Sequence, residues 1–576
     1  MATQRSPSSP PSLSTPLSSP MSAHPNAGIR RPGRLPRGPR REGMVFAIFV
    51  ALAALVWACA DTTTVIDPDA GAPDTRPQDL TQLESLRIEP ADAILHVENG
   101  KAVTQIYHAI GTFKGGATAD ITEQVSFRVR DNWVGFFMNN VFISSKTGGG
   151  KTDILADTSV GVSAMTGITV VYQKILIEGD FPPAKVKAFD SAKEDVARSP
   201  QLAYPPNGTL LPPNLAALEF QWRAGSGNDL FELRVGNGGT DIRIYTTCTA
   251  KIGSDGCGYT PSPTAWKTIL TAFRGKNAAT ISVRASDKAV TQNAGTSAER
   301  TFSIASEDIL GGLYYWNANP GTIIRYDFGK PKPKGTLYYT AQQAGAVFCV
   351  GCHALSRNGK RMAVALDIPA PGPLKILDVE NRKILAAGAA NFMAFSPDGD
   401  RILTSDGRTI VLSDTDTLKP HTPNPLVGNG TMPDWSPDGT TIVYAEPKSS
   451  IPLPIGAPGI DTGSLRLLRY STDKKLWLGP KSLVDSQGGQ NNYYPTFSPD
   501  NRLIVFNRST QNSYDAPDAS LWMIPVDDKG GPVLLKSANN PNNVTGSYGK
   551  SWPKFAPFVQ TYKGRKLMWL TFSSRR

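Results

Sequence analysis

One phrase recurs along the second half of this chain and limits what it can fold into. "FMAFSPDGDRILTS" (392–405), "MPDWSPDGTTIVYA" (432–445) and "YPTFSPDNRLIVFN" (494–507) each place an aromatic residue before Ser-Pro-Asp and an apolar strand after it. Proline at the second position of a type I turn fixes the backbone angle, aspartate tolerates the third, and glycine closes the turn, so each phrase is a hairpin. Two degenerate copies, "CHALSRNGKRMAVA" (352–365) and "WPKFAPFVQTYKGRKLMWLTF" (552–572), extend the series. After each of the first four comes a strand, a polar turn and another strand, as in "LKILDVENRKIL" and "TIVLSDTDTLKP". Two hairpins make a four-stranded sheet. The register points Ser356, Ser396, Ser436, Ser498 and Ala556 are spaced by 40, 40, 62 and 58 residues, so two copies carry insertions. Four strands at a period near 40 predict a β-propeller.

The phrase resembles the WD-like repeats of the TolB family over residues 312–576. The resemblance implies a ring with a central channel used to bind a protein or a small ligand. Blade count stays open between five and an incomplete six. The last copy lacks its second hairpin, and "GLYYWNANPGTIIRYDFGK" with "GTLYYT" (312–340) stands before the first copy as a hairpin of its own.

Upstream, the expected class is also all-β, which makes the whole chain two β-sandwich modules followed by the propeller. From Ser85, runs such as "SLRIEP", "AILHVENG", "VSFRV" and "GVSAMTGITVVYQ" alternate with a period of two between Gly, Asn and Asp turns. Residues 82–178 resemble the bacterial group 2 Ig-like domain, which implies a spacer or adhesion module without catalysis. Residues 199–306, with a Pro-rich entry, Trp222 and a "FELRV" strand, resemble a fibronectin type III sandwich. Within this segment Cys248 and Cys257 flank a turn-forming stretch, and a disulfide closing a hairpin is expected. In "SSKTGGGKT" (144–152) the first glycine of a phosphate-binding loop is replaced by Ser145, and the surroundings are strands, so that reading is dismissed.

Residues 1–60 comprise a Ser-, Pro- and Arg-rich lead, expected to be disordered, and the apolar run "MVFAIFVALAALVWACA" (44–60). Val56-Trp57-Ala58-Cys59 resembles a bacterial lipobox, which implies acylation of Cys59 and a membrane anchor at the periplasm or cell surface, as in an outer-membrane lipoprotein. The alternative is an uncleaved membrane-spanning anchor. Translation from Met21 would shorten the lead. Residues 61–81 are acidic and Pro-containing, as in a linker. The formal charge of +11 is concentrated in this lead. Seven arginines and one acid precede Cys59, and the rest of the chain carries only +5. No basic stripe interleaves with aromatics, so nucleic acid is not an expected partner.

"VFCVGCHALSRNGKR" (347–361) carries the most specific chemistry, a C-x-x-C-H at Cys349, Cys352 and His353. This is the attachment sequence of c-type haem, with two thioethers to the porphyrin and histidine as one iron ligand. Covalent attachment outside the cytoplasm agrees with the export signal. A second iron ligand is sought in Met393, Met432 or His421. Three readings compete: a Cys349–Cys352 disulfide, a metal site on His353 and the two thiols that lacks a fourth ligand, and an inert strand. No G-x-S-x-G and no H-E-x-x-H occurs, so a hydrolase is the weakest reading. It is open only through a carboxylate site on residues such as Asp398, Asp434 and Asp438, of which the turns already account for Asp398 and Asp438. Two functions follow: an envelope protein whose propeller carries one haem c for electron transfer or sensing, or a scaffold lipoprotein that binds an envelope partner with the two cysteines as a structural disulfide.

Overall fold

The computed structural model describes residues 77–576 except 226, 290–292, 331–334, 347–348, 367–371, 453–457, 540–548 and 575–576. The expected export signal, Cys59 and residues 61–76 of the expected linker therefore lie outside the described residues. The described chain is predominantly β, and no helix in it is long and apolar enough to cross a membrane.

The two upstream β segments share main-chain pairing. Strand Ser163–Ile177 alternates in burial, with Ile168, Val170 and Tyr172 inward. Its first half pairs antiparallel with Gly150–Thr158, and its last six residues pair in parallel with Thr240–Thr246, Tyr172 opposite Thr240. An 11-stranded sheet thus runs through both segments. One apolar core, from Leu80 to Ile304, continues beneath it. Cys248 and Cys257 form a disulfide with Cα atoms 5.3 Å apart, across the hairpin in which Lys251 lies opposite Cys257.

A helix, Pro263–Phe273, interrupts the second segment. Ser262 caps it by accepting from the Ala265 N–H at 3.2 Å, Pro263 sits in the first turn, and Ala265, Trp266, Ile269, Ala272 and Phe273 face inward. The strand-only expectation for residues 199–306 is corrected here. The Ser-Pro start and the apolar spacing of Trp266, Ile269 and Phe273 are the signals that favour a helix.

The propeller consists of sheets that follow one another along the chain. Blade 1 has three strands, Gly312–Asn317, Thr322–Asp327 and Thr336–Tyr339. Blade 2 (Val350–Leu355, Arg361–Leu366, Pro373–Asp378, Ile384–Ala389) has four. Blade 3 opens with Phe392–Phe395, blade 4 with Thr431–Trp435, blade 5 with Asn491–Phe497 and blade 6 with Lys550–Phe555. Blade 6 pairs that strand only with Leu570–Ser574, and it remains a sheet separate from blade 1. The long spacing after Ser436 is a protruding hairpin, Thr441–Pro452 against Pro458–Ser471. Apolar layers fill the space between successive blades: Tyr338 with Val364, Met393 with Ile376, and Trp435 with Leu403.

Each turn serine is buried and does two jobs. The Ser436 hydroxyl donates to Asp438 Oδ1 at 2.6 Å and accepts from the Thr441 N–H at 2.9 Å. Ser498 repeats this with Asp500 and Leu503, and Ser356 with Asn358 and Arg361. Gly359, Gly399 and Gly439 close their turns with φ of 71°, 85° and 76°, and Asn501 takes the same left-handed conformation at 62°.

Candidate functional site: the propeller channel

The repeat register sets what meets on the axis. The residue four before each turn point is Cys352, Phe392, Met432, Tyr494 and Trp552 in blades 2 to 6, and all five line one central cavity. The next residue in each blade, His353, Met393, Pro433, Pro495 and Pro553, lines it as well.

Proline explains how three of these side chains are aimed. Pro433, Pro495 and Pro553 have no N–H for the ladder, and the pairing of each inner strand slips there, between Thr431 and Asp434, Tyr493 and Thr496, and Ser551 and Lys554. The residue before each proline takes a left-handed backbone: Met432 at φ 52°, Tyr494 at 49° and Trp552 at 57°. For bulky side chains this conformation is strained, and it is held only because the packed ring dictates it.

Aromatic rings fill the channel. Tyr494 and Trp552 stack with centroids 4.3 Å apart, and Phe392 stands 6.1 Å from each. Polar groups border them. Lys554 Nζ lies 3.1 Å from Asp434 Oδ1, and Asp434 Oδ2 accepts from the Phe497 N–H at 2.7 Å. The remaining cavity is ≈ 30 Å³. That is room for about one water molecule.

Of the sequence-selected residues, Cys352, His353, Met393 and Met432 line the channel, whereas Cys349 and His421 are not among its lining residues. Cys349 and Cys352 are thiols and half-buried. Burial pushes the Cys352 thiol up to about 12, with Cys349 nearby adding to the shift. His353 donates from Nε2 to the Tyr314 carbonyl at 3.3 Å, which fixes that nitrogen as the protonated one. Burial lowers its pKa and keeps the ring neutral. Met393 sits in the apolar layer between blades 2 and 3 with Ala363, Leu374 and Ile376, while Met432 packs among the residues of blades 4 and 5. His421 lies on the outer side of blade 3, its Nε2 2.7 Å from Asp414 Oδ1. Among the described residues no group of three His, Cys, Asp or Glu is arranged to hold a metal ion.

A porphyrin does not fit these residues as they are folded. Ligand sites for groups of that size take on the order of 300 Å³ or more, roughly ten times this cavity. The ring nitrogen of His353 that faces Tyr314 is already engaged, and Cys352 packs, half-buried, against the apolar layer of its blade. The approach to the motif is also not wholly extended. A short helix, Ala341–Ala344, capped by Thr340 and Gln343, precedes it.

No protein-family model matches this chain. No curated protein matches it either. Among solved structures it is similar to TolB from Acinetobacter baumannii, at 11% identity over 66% of this chain and 94% of that one, with a TM-score of 0.31. It is also similar to a protein assigned as TolB from Agrobacterium tumefaciens, at 17% identity over 39% and 79% with a TM-score of 0.26. Hydrazine synthase of Kuenenia stuttgartiensis matches at 14% identity over 44% and 76%, with a TM-score of 0.25. The β-propeller itself is established by the blades and their shared channel.

Proposed function

We propose that this chain is an exported envelope protein whose propeller is a binding platform, with the two upstream β segments as spacers between a lipidated Cys59 and the ring. The observation that carries this reading is the state of the channel. Its equivalent positions converge on an aromatic plug, and Cys352, the one cysteine lining it among the described residues, is held protonated by burial. A cysteine nucleophile needs the opposite tuning, a thiol whose pKa is lowered. What such a ring offers is a rigid, chemically varied end face for a protein partner or a small ligand. Export is supported by the Arg-rich lead, the apolar run before Cys59 and the Cys248–Cys257 disulfide.

The test is photo-crosslinking in the native envelope, with the crosslinking residue placed at Asn358, Asp398 or Asp438 on the ring-end turns and at Val196 on the upstream segment as the control. Adducts of one defined mass from the ring positions, and none from Val196, support a partner at the propeller. Their absence from the ring removes the reading. A reduced pyridine haemochrome spectrum of the same exported protein, beside Cys352→Ala, decides on haem. A c-type band lost in the variant would replace the binding platform with a redox or sensing role.

A further inference from the structure

Another cavity among the described residues lies far from the propeller in sequence, where the two upstream β segments meet. It measures ≈ 480 Å³, within the size range of small-molecule sites, which are commonly built at such junctions. The stretch "SSKTGGGKT" forms one wall, and its glycines are there for close approach. A Cβ at Gly149 would lie 2.1 Å from the Gly239 carbonyl oxygen, and one at Gly150 would lie 2.3 Å from the Trp133 ring. The Gly149 N–H donates to Thr240 Oγ1 at 2.9 Å, which ties the loop to the second segment. The run thereby holds Ser145, Lys146 and Thr147 facing Lys276, which follows the helix Pro263–Phe273.

The lining is electrostatically one-sided. It contains two lysines, Lys146 and Lys276, and no carboxylate, and neither lysine forms an ion pair among the described residues. Lys276 is held in place, its ammonium 5.2 Å from the Trp133 ring centroid and donating to the Thr271 carbonyl at 3.2 Å. Burial lowers its pKa, the mark of a cation desolvated without a counter-ion. Hydroxyls of Ser145 and Thr147, 3.4 Å apart, and the Asn132 amide supply neutral donors and acceptors. Phe136, 53% exposed, offers an apolar face.

We infer that this cavity binds an acidic sugar, a hydroxylated ring bearing one carboxylate or phosphate, with Lys146 and Lys276 on the anion, Ser145, Thr147 and Asn132 on the hydroxyls, and Phe136 against the ring. The ammonium of Lys276, held in place and partly desolvated, with the exposed Lys146 beside it on the same lining, favours an anion. A mixed wall of hydroxyls, amide and aromatic face suits a polyol ring better than a bare ion.

Calorimetric titration of the full-length protein with glucuronate, glucose 6-phosphate, glucose and inorganic phosphate tests this. At least one of the two acidic sugars is expected to bind, at least tenfold tighter than glucose and inorganic phosphate, and to weaken as salt is raised. Which of the two binds distinguishes carboxylate from phosphate. Lys146→Ala, at an exposed position that folding does not depend on, and Lys276→Met are each expected to weaken binding about tenfold, the loss of one charge-assisted contact. Failure of both acidic sugars to bind at about 10 mM, equal binding of inorganic phosphate, or affinity unchanged in both variants would overturn the inference.

Discussion

Lys554 Nζ reaches Asp434 Oδ1 at 3.1 Å, so an ion pair joins the inner strand of blade 6 to that of blade 4 past the blade between them. Asp434 is nearly buried and also accepts from the Phe497 N–H of blade 5, so one carboxylate ties three blades at the channel. Lys554→Met is expected to cost about 1–2 kcal/mol, discounted because the lysine is partly exposed. Asp434→Ala is expected to cost about 2–3 kcal/mol, because it also strands a buried N–H. Urea unfolding followed by tryptophan fluorescence measures both. A coupling below about 0.5 kcal/mol in the double-mutant cycle would mean that the pair does not act as a unit.

Glu232 is fully buried in the shared upstream sheet, with Arg284 Nη1 at 3.3 Å, Arg243 Nε at 3.8 Å and Arg234 Nε at 3.9 Å. Arg284 also donates to the carbonyls of Phe189 and Ala192, so the cluster fastens the inter-segment stretch to the sheet. Asp241 and Asp190 pair with Arg243, and Asp241 also with Arg234, so removing the Glu232 charge takes from Arg284 its acid partner among the described residues. Glu232→Gln is expected to destabilise this region by about 3 kcal/mol, with amide hydrogen exchange rising around Phe189 before it rises in the propeller. Uniform exchange across the chain would show that the cluster is not local to this region.

The Cys352 thiol, pushed up to about 12 by burial, stays protonated at pH 8. Iodoacetamide should therefore leave Cys352 unmodified in the folded protein and alkylate it on unfolding in urea. Because the folded value is raised above the ordinary 9.0, the stability it contributes is complete below pH 9 and is lost as pH rises towards 12. Mass spectrometry of peptides after timed alkylation reads this directly. Rapid modification under native conditions would show that the channel opens.

The repeat made the propeller legible because its information is local: each Ser-Pro-Asp turn satisfies itself within a few residues. That the position four before each turn point carries the plug is seen only in the structure. What the turn serines do was hidden in their burial, not in their identity. The joined upstream sheet was out of reach, because the pairing of Tyr172 with Thr240 depends on the glycine contact between Gly149 and Gly239 and leaves no periodic trace. C-x-x-C-H was plain as a motif, yet room for a porphyrin depends on Phe392, Tyr494 and Trp552, which come from other blades.

The same turns predict how the ring responds to acid. Asp398 is held below the ordinary 3.8 by the Ser396 hydroxyl, against some burial. At Asp438 and Asp500 burial pushes upward, and the hydroxyls of Ser436 and Ser498 with neighbouring donors outweigh it. These carboxyls take up protons less readily when folded than when unfolded. The stability they contribute is complete well above pH 3.8 and drains away as pH falls through the lower folded values. Blade 2 supplies the control, because Asn358 accepts from Ser356 at 2.7 Å in the same turn without a titrating group. The triple variant Asp398→Asn, Asp438→Asn, Asp500→Asn should therefore keep the fold at neutral pH and lose less Tm than the parent between about pH 5 and about pH 2. Calorimetric scans across that range measure the difference. Parallel Tm profiles would mean that acid sensitivity arises elsewhere, whereas a flatter profile in the variant places it in the Ser-Pro-Asp turns that define the ring.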